Sequence, residues 1–212
     1  MMERILIFQE LIAQASFVFT NGNPYLDFPH PTLYKTVMIG GFAVSRSANE
    51  KHTLSKEWNA LLNARRRTVL VSFGSVAKSV DMPENFKRTL LDVFASMPEV
   101  TFIWKYEDPS SKFAESLPNV YLSAWVPQIL LLEDERLSAF LTHGGMGSSN
   151  ELAMMGKPAI VIPIFGDQMR NSHMLARHGG ALVLENQHLK NFLTIQGLLS
   201  HLFVVTQVHK RP

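Results

Sequence analysis

Cysteine is absent from this chain of 212 residues. Its absence excludes disulfide bonds, thiolate catalysis and zinc sites with cysteine ligands, although it does not decide the compartment. No Asn-x-Ser/Thr sequon occurs, so the sequence does not predict N-glycosylation. No apolar run approaches the ~20 residues of a membrane-spanning helix. Polar side chains interrupt the apolar stretch of residues 1–19, which makes it a poor signal peptide. Taken alone, these absences predict a soluble polypeptide.

A strong excess of one charge is missing as well, because 20 Lys and Arg residues against 18 Asp and Glu residues give a net charge of +2. This balance offers no reason to expect nucleic acid or an anionic membrane surface as a partner. The content of 46% hydrophobic and 18% charged residues is typical of an ordered globular protein, and the length suits one sizeable α/β domain. The basic run at residues 65–67 is interpreted as a solvated linker, with an anion contact as the alternative.

From Thr68 onward, short apolar runs alternate with segments whose apolar residues recur at helical spacing. Continuous β-branched runs are typical of parallel strands that are buried on both faces. The predicted strands are 68–73, 100–104, 119–126, 138–143, 159–165 and 181–184, and the predicted helices lie around 86–97, 128–133, 148–155 and 168–178. This alternation predicts the α/β class, with a doubly wound, Rossmann-like parallel sheet and right-handed crossovers.

The flanking segments are less regular. Residues 15–20 are a predicted buried strand, a turn-rich stretch and a short apolar run at 37–39 follow it, and residues 46–67 have the polar, basic composition of a linker. The tail that begins at Asn191 keeps helical spacing for a turn or two, but residues 202–205 suit a strand equally well. Both assignments stay open for the tail.

Four groups of polar and glycine residues follow predicted strands, namely Gly74-Ser75, Trp125 to Gln128, His143 to Ser149 and Asp167-Gln168. Because ligands of doubly wound sheets bind outside the carboxyl ends of the strands, these groups are expected to meet at one edge. The His-Gly-Gly turn opens a helix, whose N-terminus offers backbone donors and a positive dipole end suited to a diphosphate. A tight turn in which Ser148 is the helix N-cap is the alternative.

The block from Trp125 to Gln168 resembles the donor-binding signature of the UDP-glycosyltransferases, the family that includes the animal UDP-glucuronosyltransferases. An aromatic with a glutamine three residues later, a His-Gly-Gly turn, a glutamate in the following helix and an Asp-Gln pair occur in this order. The resemblance implies the C-terminal, donor-binding half of a two-domain GT-B enzyme. It also implies transfer of a hexosyl or glucuronosyl group from a UDP-sugar to a small lipophilic acceptor, with no cofactor besides the UDP-sugar co-substrate. Asp-x-Asp is absent, so we expect a metal-independent reaction.

The resemblance also implies roles for residues that bind the nucleotide. Trp125 stacks on the uracil ring and Gln128 lies near the nucleoside, whereas the alternative for Trp125 is a core tryptophan. Glu151 accepts hydrogen bonds from the ribose hydroxyls, and a capping box with Ser148 competes for the same oxygens. His143 and its glycines receive the diphosphate, and a structural core histidine is the alternative reading of His143.

The resemblance assigns the sugar to Asp167 and Gln168, and an Asp167 N-cap on the next helix is the competing interpretation. Ser75 resembles the serine of a turn near the donor phosphates, or it only closes a strand-to-helix turn. No metal ligand is predicted. The predicted donor-binding set is Ser75, Trp125, Gln128, His143, Gly145, Ser148, Glu151, Asp167 and Gln168.

The resemblance extends from about residue 15 to about residue 185. It implies a remnant of the acceptor (N-terminal) domain at 1–45, a linker at 46–67, the UDP-sugar donor-binding domain at 68–190 and a divergent tail at 191–212. The family carries its catalytic histidine base in the acceptor domain, so no catalytic residue is assigned here. We expect donor binding with little or no turnover by these residues alone. The family suggests the endoplasmic reticulum membrane, but the compartment is left unassigned.

Two alternatives belong to other classes. One is a truncated, non-catalytic isoform that binds UDP-sugar or pairs with a full-length family member. The other is a dinucleotide-dependent oxidoreductase, since Gly145-x-Gly147-x-x-Asn150 nearly matches G-x-G-x-x-G and Asp167 lies 20 residues after Gly147. Asn150 replaces the third glycine of that motif, and Trp125 has no role in it. An activity assay separates the first alternative from the enzyme, and NADH binding would indicate the second.

Overall fold

A computed structural model describes residues 9–42, 44, 53–108, 110–185, 188 and 191–208 of the chain. The strands are β1 (Val18–Thr20), β2 (Thr36–Met38), β3 (Arg67–Ser72), β4 (Val100–Lys105), β5 (Val120–Ser123), β6 (Leu137–Thr142), β7 (Ala159–Val161) and β8 (Ala181–Val183). The helices are α1 (Lys56–Asn63), α2 (Glu84–Ala95), α3 (Gln128–Glu133), α4 (Met146–Met155), α5 (Gln168–Arg177) and α6 (Phe192–Val208). Residues 9–14 are also helical.

Strands β3 to β8 form one six-stranded sheet in the order β5-β4-β3-β6-β7-β8. Every neighbouring pair in this sheet is parallel. The chain adds strands outward from β3 to β5, then returns to place β6 on the other side of β3. This arrangement confirms the predicted α/β class with a doubly wound sheet. The strand order reverses between β3 and β6, which is where such sheets bind their ligands.

Both faces of the sheet are covered by helices, as the continuous apolar strands predict. Every residue of β4 is buried, and so is every residue of β3 after Arg67. One face carries Phe94 and Phe102, whose stacked rings lie 4.0 Å apart between centroids, together with apolar side chains of α6. The other face carries Leu70 and Phe140, which pack with apolar side chains of α1, α3, α4 and α5. The core thus holds β3 and β6 rigidly at the centre of the sheet.

Strand β7 ends at Val161, four residues earlier than the apolar run predicts. Pro163 lacks an N–H group and cannot donate to a neighbouring strand. The N–H groups of Ile164 and Phe165 donate instead to Oε1 of Gln168, at 2.8 and 2.9 Å. A buried side chain therefore replaces the sheet partner of this segment, and the apolar run leaves the sheet before the Asp-Gln pair.

The segment before the main sheet forms a small unit in which β1 and β2 pair in parallel. Large side chains such as Phe17 and Phe19 are exposed there. The unit contacts α4, because Nδ2 of Asn150 donates to the carbonyl of Asn21 at 3.1 Å. Residues 1–8, 43 and 45 of the predicted acceptor-domain remnant lie outside the described residues, and that domain assignment stays a prediction.

Helices occupy both segments for which the sequence predicted a linker or left the assignment open. Within the predicted linker, α1 buries Leu62 against the sheet, while residues 46–52 lie outside the described part of the chain. In the tail, α6 continues through residues 202–205, so the strand alternative there is wrong. Residues 186, 187, 189, 190 and 209–212 are not described, and the domain boundaries stay a prediction. Within the described ranges, no helix is both long and apolar enough to cross a bilayer.

The packing of α6 predicts that the tail contributes to stability. Leu199 is fully buried in the core cluster that also contains Leu90 of α2, whereas Leu193 is 73% exposed. Leu199→Ala should therefore lower the free energy of unfolding by ~2–5 kcal/mol, as removal of a buried leucine side chain does. Urea denaturation of purified protein measures this change. The matched variant Leu193→Ala should stay within ~0.5 kcal/mol of the wild type, and equal effects of the two variants would contradict the packing of α6.

Candidate functional site

The site begins where β3 and β6 end side by side, at Gly74 and His143. The His143 ring lies so close to two glycines that a Cβ on Gly74 would come within 2.6 Å of its Cε1 atom, and a Cβ on Gly145 within 2.8 Å of its Nε2 atom. Gly74 also has φ +87°, a conformation that side chains other than glycine rarely adopt. The ring is thus enclosed between two glycine turns and is 9% exposed.

The enclosure of His143 determines its charge. Burial lowers the pKa of His143 below its usual value of 6.5, and the carboxylate of Asp167 only partly opposes this shift. At neutral pH the imidazole is therefore neutral and carries a single ring N–H. His143 is buried where β3 and β6 end, so the core-histidine alternative describes its burial but not its position at the edge of the sheet.

The helix N-terminus that follows His143 has no side-chain cap. Gly145 is the N-cap residue of α4, and Ser148 lies inside the first turn of the helix. The predicted N-cap at Ser148, and with it the Ser148-x-x-Glu151 capping box, is therefore wrong. The first N–H groups of an α-helix have no intrahelical partner, and no side chain of the turn satisfies them here. This arrangement leaves backbone donors and the positive end of the helix dipole available to an anion.

A second part of the site joins α3 to α4 through three polar side chains. Nε2 of Gln128 donates to Oγ of Ser148 at 3.0 Å and makes a short hydrogen bond to Oε2 of Glu151. Burial raises the pKa of Glu151 above its usual value, and the hydrogen bond from Gln128 partly opposes the shift. The structure therefore brings together Gln128, Ser148 and Glu151, which are separated by up to 23 positions in the chain.

The Asp-Gln pair lies at the start of α5. Asp167 occupies the N-cap position but its carboxylate does not cap the helix, because Oδ2 accepts a hydrogen bond from Nδ2 of Asn171 at 2.8 Å. The same amide group donates to the carbonyl of Gly144 at 3.0 Å. Gln168 is 4% exposed and holds the preceding loop through its Oε1 atom. Asn171 thus connects the Asp-Gln pair to the His143 turn.

Trp125 and Ser75 lie on loops at the carboxyl ends of β5 and β3. Trp125 is 73% exposed, so the core-tryptophan alternative is wrong. Its carbonyl accepts a hydrogen bond from Oγ of Ser123 at 2.6 Å, which holds the loop just after β5. Ser75 is exposed in the turn after β3. Within the described parts of the chain, neither side chain is hydrogen-bonded to another predicted site residue.

Sequence reasoning missed Asn171 and Lys105. Lys105 is a largely buried cation at the end of β4, and its Nζ donates to the carbonyl of Gly74 at 2.9 Å and pairs with Oε1 of Glu107 at 3.0 Å. It therefore braces the turn that carries Ser75. Asn171 could have been found from its spacing, because a residue four positions after Asp167 on the same helix lies next to it. The sequence offered less reason to select Lys105, a single lysine at the end of a strand.

The strand order and the parallel pairing define the doubly wound α/β class, and similar proteins specify it further. The structure is similar to "Spinosyn Rhamnosyltransferase SpnG", with a TM-score of 0.64 at 19% identity, over 89% of this chain and 48% of that chain. The chain matches the family described as "UDP-glucoronosyl and UDP-glucosyl transferase" over residues 1–206. It belongs to this family of transferases, with the Rossmann-like fold of the GT-B glycosyltransferases.

Curated relatives agree with this family. The chain is 35% identical to "Putative UDP-glucuronosyltransferase ugt-56" of Caenorhabditis elegans over 172 residues, which are 80% of this chain and 32% of that protein. It is 31% identical to "UDP-glucuronosyltransferase 1A4" of Oryctolagus cuniculus over 175 residues, which are 82% of this chain and 32% of that protein. The chain therefore spans about a third of the length of these relatives.

The raised pKa of Glu151 predicts a pH-dependent loss of stability. A carboxyl group with a raised pKa in the folded state contributes stability that is fully present below its unfolded pKa of about 4.5 and is lost as the pH rises through the raised value. Glu151→Gln keeps the shape of the side chain and removes the ionisation. We expect the variant to gain stability relative to the wild type as the pH rises above about 4.5, because only the wild-type carboxyl group has to ionise. Urea denaturation at a series of pH values below and above 4.5 measures the difference. For the exposed control Glu99→Gln, the free energy of unfolding should vary with pH as it does in the wild type. The same pH dependence for Glu151→Gln would contradict the raised pKa of Glu151.

Proposed function

We propose that this chain binds the UDP-sugar donor of a UDP-glycosyltransferase reaction, in which the glycosyl group passes to a small lipophilic acceptor with inversion of the anomeric centre. The observation that carries the proposal is the cluster of Gln128, Ser148 and Glu151 beside the uncapped N-terminus of α4. A buried carboxylate next to an anion-binding helix terminus suits a nucleoside diphosphate, which combines hydroxyl donors with negative charge.

The diphosphate would lie against the His143 turn. The first backbone N–H groups of α4 have no side-chain cap there, and the glycine at position 145 leaves room for the His143 ring beside them. A neutral His143 adds a ring N–H without adding a full positive charge. The helix terminus would thereby take the part that a divalent cation plays in metal-dependent transferases, and we propose a reaction that needs no metal and no cofactor besides the UDP-sugar.

The nucleoside would lie between α3 and α4. The hydrogen bond from Gln128 uses Oε2 of Glu151, and a carboxylate with two oxygens has further capacity to accept from ribose hydroxyls. Trp125, which is 73% exposed on the loop before α3, presents a flat apolar ring that can stack on the uracil. Glu151 and Trp125 lie at the carboxyl edge of the sheet, which is the edge where doubly wound sheets bind nucleotides.

The sugar would lie at the start of α5. The exposed carboxylate of Asp167 accepts from hydroxyl groups, and the amide of Gln168 contributes only donors because its Oε1 already binds two backbone N–H groups. An acceptor next to a donor is the pairing that a polyol requires. Ser75, on the turn braced by Lys105, would complete the site from the β3 side.

Donor binding itself provides the first test. Isothermal titration of the wild type with UDP should show binding, and Glu151→Ala should weaken it by ~1–3 kcal/mol, the usual cost of leaving hydrogen bonds to a charged group unmade. Asp92→Asn, an exposed change on α2, should leave the affinity unaltered. Binding of NADH without binding of UDP would replace this proposal with the oxidoreductase alternative.

Glycosyl transfer also needs a base that removes the proton of the acceptor hydroxyl. His143 is neutral at physiological pH, but its ring lies at the proposed leaving-group end of the donor, and we assign no base to this chain. Residues 1–212 should therefore bind donor with little or no turnover. The assay measures UDP release from UDP-glucose and from UDP-glucuronate with a phenolic acceptor. Turnover comparable to that of a full-length family member would show that a base is present in this chain, whereas binding without turnover fits either a donor half or a non-catalytic isoform.

A further inference from the structure

A compact charged cluster joins the segment before the main sheet to helix α5. We call it the Asp27 cluster, and it consists of Asp27, Phe28, His30, Arg170 and Arg177. The carboxylate of Asp27 forms an ion pair with Arg170 and lies 3.6 Å from Nε2 of His30. The carbonyl of Asp27 accepts a hydrogen bond from Nη2 of Arg177 at 2.7 Å. The side chain of Asp27 is only 10% exposed, so this ion pair is partly shielded from solvent.

The cluster contacts α5 at both of its ends. Arg170 lies in the first turn of the helix and Arg177 is its last residue. Both guanidinium groups also lie over the ring of Phe28, at 5.6 and 4.7 Å from its centroid. Two attachment points at opposite ends of a ten-residue helix constrain its direction as well as its position.

One charge of this cluster, that of Arg170, opposes the dipole of the helix, whereas Arg177 in the last turn agrees with it. A cation in the first turn of a helix meets the positive end of the dipole and is unfavourable there. Arg170 is stabilised at this position because Asp27 supplies the compensating carboxylate from another part of the chain. Loss of Asp27 would leave an uncompensated positive charge next to the residues that open α5.

The start of α5 carries the groups that reach the candidate site. Asn171 follows Arg170 directly and bonds to both Asp167 and the carbonyl of Gly144. Gln168 holds the loop after β7 through its side-chain oxygen. A shift of this turn would therefore move the carboxylate of Asp167 and the amide of Gln168 relative to the His143 turn.

We infer that Asp27, Arg170 and Arg177 are positioning residues that set the first turn of α5, and hence Asp167 and Gln168, for the sugar part of the donor. This inference rests on the proposed function, in which those two residues contact the sugar. The described hydrogen bonds and ion pairs of these three residues reach neither the His143 turn nor Glu151, so we expect them to affect recognition of the sugar and not of the nucleotide.

The test compares UDP with UDP-glucose and UDP-glucuronate by isothermal titration of the intact chain. Asp27→Asn should weaken binding of the preferred UDP-sugar by about three- to tenfold and change UDP affinity by less than about twofold, as expected for loss of a partly shielded ion pair. Asp27→Glu, which keeps the charge, should retain the preference for the UDP-sugar. The matched control Asp92→Asn should match the wild type with every ligand. Equal weakening of UDP and UDP-sugar, or no weakening of either, would overturn the inference.

Hydrogen exchange provides a readout that needs no ligand. Amides of residues 166–172 should exchange faster in Asp27→Asn than in the wild type, while those of β6 should be unchanged. Unaltered exchange at 166–172 would overturn the positioning role. This result does not depend on nucleotide binding, whereas a chain that bound no nucleotide would contradict the proposed function. If Asp27→Asn does not fold, Arg170→Gln serves in both experiments, because it removes the ion pair with Asp27 and the guanidinium group over Phe28.

Discussion

The close approach of His143 to two glycines is the constraint on which the rest of the site depends. It places the turn after β3, the turn after β6 and the start of α4 in direct contact at the point where the strand order reverses. A methyl group on Gly74 or Gly145 would overlap the imidazole ring, so either the ring or a turn would have to move. The backbone donors at the start of α4 lie at this edge without a side-chain cap.

The polar groups at this edge are arranged so that burial favours their neutral forms. Burial lowers the pKa of His143 and raises the pKa of Glu151. A neighbouring side chain opposes each of these two shifts only in part. Lys105, by contrast, forms an ion pair with Glu107 and donates a hydrogen bond to the carbonyl of Gly74 in the turn after β3. An edge of this kind can attract an anion through oriented dipoles and N–H groups. Because these groups carry no full charge, the anion does not have to displace a tightly bound counterion.

Helix α5 links this edge to the segment that precedes the sheet. Asn171 ties the helix to Gly144 on one side, and the Asp27 cluster ties it to the first unit on the other. The segment before the sheet is therefore not an independent appendage, since its carboxylate compensates a cation at the start of α5. The aligned part of this chain is about a third of the length of these relatives. Among the described residues, the segment before the sheet contacts both α5, through the Asp27 cluster, and α4, through Asn150.

The sequence by itself determined the elements that depend on local pattern. Apolar β-branched runs and helical spacing were enough for the six parallel strands and their class, and Gln128–Glu133 was predicted with the bounds that the structure has. The motif also predicted a candidate site at this edge, because its groups follow strands and parallel strands end on the same side, and its role in donor binding stays a prediction. The start of α4 and the end of β7 were predicted incorrectly, since an uncapped glycine start and a side chain acting as sheet partner leave no periodic signal.

Only the tertiary structure decided which of these residues touch. The contact of Gln128 with Ser148 and Glu151, the bond from Asn171 to Gly144 and the ion pair between Asp27 and Arg170 all join distant segments. It also decided that residues 202–205 are helical, because burial of Ile195 and Leu199 against α2 extends the helix through a stretch with equal local preference for a strand. Local spacing predicts an element because its forces act within a few residues, whereas contacts and burial depend on segments that only the folded chain brings together.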